Sequence, residues 1–155
     1  MQINYLSYFL ASILSYLGLL LGIILIKLAS EEQKPGKKYF ILLKKILFFL
    51  IIAPLLFYYK TNPVLAIILL AFVVISILNK KINLERSSRV YFFLGVVFYL
   101  SSKFLNLFVI ESILIFLYGI DHASLMLDLR KRNYLHIFAK SLWFFVPLIL
   151  LYFVF

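Results

Sequence analysis

The chain has 155 residues, of which 65% are hydrophobic and 19% aromatic, against roughly 45–50% apolar residues in an ordinary soluble domain. A soluble core of this size has no room for that much apolar surface, so lipid has to be the solvent for most of it. The formal charge of +10 does not point to nucleic acid, because the basic residues sit in short stretches between apolar runs, where they set orientation and meet anionic headgroups. Cysteine is absent, which removes disulfides, thiolate metal sites and a cysteine nucleophile together.

A membrane span takes about 20 apolar residues, and about six fit with short loops between them. The fold class expected is therefore all-α: a polytopic integral membrane protein, one transmembrane domain over residues 1–155, with spans near 5–27, 39–59, 63–79, 88–102, 104–124 and 134–154. No basic residue precedes the first apolar run, and that run is longer than a signal-peptide core, so it reads as a retained span.

Taken in order, the first span carries Gly18 and Gly22, whose spacing of four lets another helix approach closely. The stretch 29–38 contains Pro35-Gly36, a turn signal, and Lys34, Lys37 and Lys38. The second span starts near Tyr39 with Lys44 and Lys45 in its first two turns, both expected to snorkel to the headgroups. Pro54 is expected to kink its second half. After a tight turn at Lys60–Pro63, the third span is uncharged and suited to lipid contact. A basic loop at 80–89 follows. Only 13 residues separate Arg89 from Lys103, about 20 Å of helix, so the fourth span has to recruit flanking residues or thin the bilayer. The sixth span has Pro147 two-thirds of the way along, a second expected kink.

Charge tests this partition. With both termini outside, 14 of the 16 Lys and Arg fall on the inner loops and their flanks, leaving Lys60 and Lys103 outside, as the positive-inside rule requires. Fusing the fourth and fifth spans would put Lys103 in mid-membrane. A weak internal likeness also runs between the second and sixth spans, and between Ser12-Ile13-Leu14 ahead of Gly18 and Ser112-Ile113-Leu114 ahead of Gly119. It is the pattern of a parallel repeat.

The fifth span carries the chemistry. Glu111, Tyr118 and His122, spaced by seven and four, share one helical face, and a carboxylate and an imidazole are the usual intramembrane carriers of protons. The bland reading has Glu111 protonated, or paired with Lys103 or Asn106 near the outer surface, and merely holding helices together. Near the cytoplasmic end, Asp121 and Asp128 share a face, with His136 expected at a similar depth and Arg130 or Arg132 available to a phosphate. The spacing matches no metal motif, and ion pairing explains it more simply. No metal, cofactor or catalytic residue is expected, and no Gly-rich phosphate loop, HExxH or GxSxG occurs.

Three functions follow. The chain is expected to be a small transporter or channel-type protein, ion- or proton-coupled, whose polar stripe faces a pathway. The alternative is a structural or accessory subunit of a larger membrane complex, as a homo-oligomer or with partner membrane subunits. The third is a lipid-modifying enzyme using Asp121, His122, Asp128 and His136. In each, the bilayer with its anionic headgroups is the immediate partner and the plasma membrane the expected location.

Overall fold

The computed structural model describes residues 4–29, 31, 33–62, 64, 67, 71, 88–126 and 134–154. Among them every regular element is helical. The helices are α1 (Tyr5–Leu28), α2 (Gln33–Tyr58), α3 (Ser88–Ser101), α4 (Leu105–Met126), α5 (Tyr134–Ser141) and α6 (Phe145–Val154), with a 3-10 turn at Leu142–Phe144 joining the last two. Four stretches are long and apolar enough to cross a membrane: α1, Pro35–Tyr58 of α2, α4, and Leu135–Val154 taken through the 3-10 turn. Most of the expected third span and the loop after it lie outside the described residues.

Hydrogen bonding explains why these apolar runs become helices: in lipid each backbone N–H and C=O has to be satisfied within its own segment. The serines comply by folding back. Ser12 Oγ donates to the Phe9 carbonyl at 2.7 Å and Ser15 Oγ to the Ala11 carbonyl at 2.9 Å.

Element ends depart from expectation in two places. The stretch 29–38 was expected to be loop, but α2 begins at Gln33 and includes Pro35 and Gly36. Proline is tolerated in a first turn because its missing N–H would have no intrahelical partner there. The sixth span was expected as one helix and is instead interrupted by the 3-10 turn just ahead of Pro147. Tyr16 braces that interruption: its hydroxyl donates to the Phe138 carbonyl at 3.2 Å and lies 3.0 Å from Ser141 Oγ. α2, in contrast, runs unbroken through Pro54.

The C-terminus of α2 is closed by Lys60, which has a left-handed φ of 46°. The next N–H, on Thr61, reaches back to the Leu56 carbonyl at 3.5 Å, the six-to-one bond of a Schellman ending. α3 and α4 are separate helices, split at Ser102–Phe104, with Lys103 exposed and over the Tyr99 ring at 5.0 Å.

Side-chain contacts give the direction of each helix. Tyr8 stacks on Phe108 and Ser15 Oγ donates to the Ser112 carbonyl, so α1 and α4 run parallel. Lys44 meets His122 while Tyr58 meets Phe104, so α2 and α4 are antiparallel. Phe48 meets Phe93 and Tyr59 meets Leu100, so α2 and α3 are parallel. Tyr16 meets Phe138 and Tyr8 meets Leu148, so the α5–α6 segment opposes α1.

The α1–α4 seam is the tightest. A methyl group on Gly18 would collide with the Phe116 carbonyl, one on Gly22 would lie 2.5 Å from the Ile120 oxygen, and one on Gly119 would lie 2.8 Å from the Leu19 nitrogen. The packing face expected at Gly18 and Gly22 is thus met by a third glycine on the partner helix.

Candidate functional site

α4 lies between α1 and α2 and turns its polar residues toward the bundle. Glu111, Tyr118, Asp121 and His122 are all buried, Glu111 at 0% exposure. They form two centres at different depths. From Glu111 to His122 is 11 residues, roughly 16 Å along the helix at 1.5 Å each.

The first centre is Glu111 by itself. Both carboxyl oxygens are buried, and neither has a hydrogen-bond partner among the described residues. Lys103, in the break before α4, and Asn106, in its first turn, are both exposed, and neither hydrogen-bonds to Glu111. A buried polar group without a partner costs about 1–3 kcal/mol.

The second centre is built on Lys44 of α2. This side chain was expected to snorkel to the headgroups, yet it is only 5% exposed and points at α4. Its Nζ lies 3.0 Å from Nδ1 of His122, itself 5% exposed. With the amine charged it can only donate, which makes Nδ1 the acceptor and puts the imidazole proton on Nε2. Tyr118 supplies a ring face 5.5 Å from the amine, inside the range of a cation–π contact. Tyr91 of α3 packs edge-on against the imidazole with centroids 4.9 Å apart, and Tyr118 stacks on it at 6.2 Å. Asp121 is 3% exposed and near enough to Lys44 for the two charges to attract. Its Oδ2 and the Tyr91 hydroxyl have no hydrogen-bond partner among the described residues.

Of the residues picked out in sequence, then, Tyr118, Asp121 and His122 are brought together and Glu111 is held apart, with Ile115 buried on the face between them. Asp128 and Arg130 lie outside the described residues. His136 is on α5 and exposed. Among the described residues no three His, Asp or Glu side chains are grouped to hold a metal ion.

Lys44 and Tyr91 are the site residues the sequence reading missed. A signal existed for the first. Neighbouring helical residues point about 100° apart, so Lys44 and Lys45 could not both face the same way, and Lys44 stands three and seven residues ahead of the buried Leu47 and Ile51. Tyr91 carried no such mark among so many aromatic residues.

Comparison with protein-family models, with curated proteins and with solved structures gave no match.

Proposed function

We propose that the chain is a six-span plasma-membrane protein, with both termini outside, that moves protons or small cations along the buried face of α4. The observation that carries this is the pair of ionisable centres on one helix, at two depths, with an apolar and aromatic plug between them. Glu111 serves as the site reached from the outer side, and the Lys44–Asp121–His122 centre as the site reached from the cytoplasmic side. Ile115 is buried between them on α4, and Phe48 packs on Tyr118 at the edge of the second centre, 6.3 Å between centroids. Alternating access works by closing a site near mid-membrane to one side at a time, and apolar side chains beside a buried ionisable group supply such a closure. The parallel course of α2 and α3 supports an odd number of crossings between them, and hence six spans in all.

The test is flux. In liposomes containing the purified chain, Glu111→Gln should abolish proton- or cation-driven uptake while leaving expression and monodispersity intact. Unchanged flux in that variant would overturn the reading.

A second reading, as an accessory subunit, is favoured by one surface. An open groove of about 820 Å³ runs between α1 and α4, lined by residues such as Leu14, Leu21, Ile24, Val109 and Ile113, and a helix of a partner subunit would cover it. The lipid-modifying reading is weakened by the burial of Asp121 and His122 within the bundle.

A further inference from the structure

We infer that Asp121, His122, Tyr91 and Tyr118 form a binding site for one small organic ammonium ion, and that the side chain of Lys44 is its resident competitor. The inference deepens the transport reading by naming a substrate class, and it rests on that reading only in making the site a stop on the path.

The first argument is the chemistry of the walls. Two rings lie against the amine, the Tyr118 face at 5.5 Å and the imidazole whose Nδ1 is 3.0 Å from it, and Tyr91 packs edge-on to both of those rings at 4.9 and 6.4 Å. Aromatic faces with a carboxylate close by are how proteins hold alkylammonium groups. A hard metal ion needs six or more oxygen ligands or a near-ideal octahedron, and one carboxylate with one phenol falls short of both. An imidazole nitrogen that accepts a hydrogen bond suits an N–H donor.

The second argument is what remains unsatisfied. Asp121 Oδ2 and the Tyr91 hydroxyl are buried without a hydrogen-bond partner among the described residues, although each belongs to a side chain only 3% exposed. Lysine reaches the site from one side on a tether, which dictates where its three N–H groups point. An untethered ammonium is free to orient its N–H groups toward buried acceptors that a tethered amine leaves unserved. Lysine's four-carbon stem is flexible enough to withdraw without displacing α2.

The experiment is equilibrium binding of radiolabelled methylammonium to the full-length chain in nanodiscs. Four proteins are compared: wild type, Lys44→Met, Lys44→Gln and Asp121→Asn, each checked for fold by Trp143 emission and gel filtration. Wild type should show weak, saturable binding that Asp121→Asn removes and that equal sodium chloride does not compete away. Both Lys44 variants should bind at least about ten-fold tighter, because a competing internal state has been removed. Should neither variant fold, the Asp121-dependent binding of the wild type decides. No saturable binding above the Asp121→Asn background in any folded protein overturns the inference. Loss of flux in Glu111→Gln without methylammonium binding would leave the transport reading standing and this site refuted, and the opposite pattern would do the reverse.

Discussion

Lys44 Nζ and His122 Nδ1, 78 positions apart in the chain, meet at 3.0 Å inside the bundle, and this contact ties the second helix to the fourth at their shared end. Removing the amine strands two buried groups at once, the imidazole and the Asp121 carboxyl. Lys44→Met should therefore destabilise the bundle by about 1–3 kcal/mol in a denaturing-detergent titration. The double variant Lys44→Met/Asp121→Asn should fall short of the summed single losses by about 1 kcal/mol, as coupled sites do. Strict additivity would mean that the lysine and the aspartate do not interact.

Glu111 should behave in the opposite way. With no partner for either carboxyl oxygen among the described residues, replacing it by leucine should stabilise the fold by about 1–3 kcal/mol while removing activity, the usual exchange at a functional position. If Glu111 instead fastens helices together, Glu111→Leu will lower the unfolding midpoint.

The glycine seam makes a contrast between two substitutions. Gly18→Val drives a side chain into the Phe116 backbone carbonyl, which cannot yield without parting α1 from α4. A loss of at least about 1–3 kcal/mol is expected. At Gly36 the nearest atom to an added methyl is the rim of the Phe40 ring, at 2.8 Å, and that ring can swing aside. Gly36→Ala should stabilise α2 by up to about 1 kcal/mol through helix propensity. Equal effects at the two glycines would refute the seam.

The last span offers a smaller effect. Tyr16→Phe deletes the bond to the Phe138 carbonyl and the contact with Ser141 without changing the ring packing against Phe138 and Phe145. Interhelical hydrogen bonds in membranes average about 0.6 kcal/mol, so a loss of that order is expected, with a change in Trp143 emission as the local readout.

Sidedness is accessible because the chain has no cysteine of its own. Single cysteines at Asn62 and Lys103 should react with an impermeant thiol reagent from the outer face. Cysteines at Lys37 and His136 should react from the cytoplasmic face only. Labelling of 62 and 103 from opposite faces would sink the six-span arrangement.

Much of this was legible in the residues, for identifiable reasons. Apolar runs set helix positions because lipid admits little else. Lys103 announced the break between α3 and α4, since a charge between two apolar runs has to reach water. The Gly18–Gly22 spacing gave the contact face of α1, though not its partner. What escaped were pairings across long separations. Lys44 was taken for a headgroup lysine because sequence alone cannot say which flank of a helix meets another helix. Pro35-Gly36 was taken for a turn because the same two residues suit the first turn of a helix. On α4 the polar residues were visible, but their division into one isolated carboxyl and one crowded cationic centre depends on what α2 and α3 bring to them.

The bond from Ser15 to the Ser112 carbonyl spans 97 positions, and it lies in the seam where three glycines let two backbones touch. At synthesis rates of roughly 5–20 residues per second, the ribosome needs about 5–20 s to travel that far. A helix that enters lipid as it is made would spend that interval with its notched surface toward acyl chains, before the helix that fits it exists.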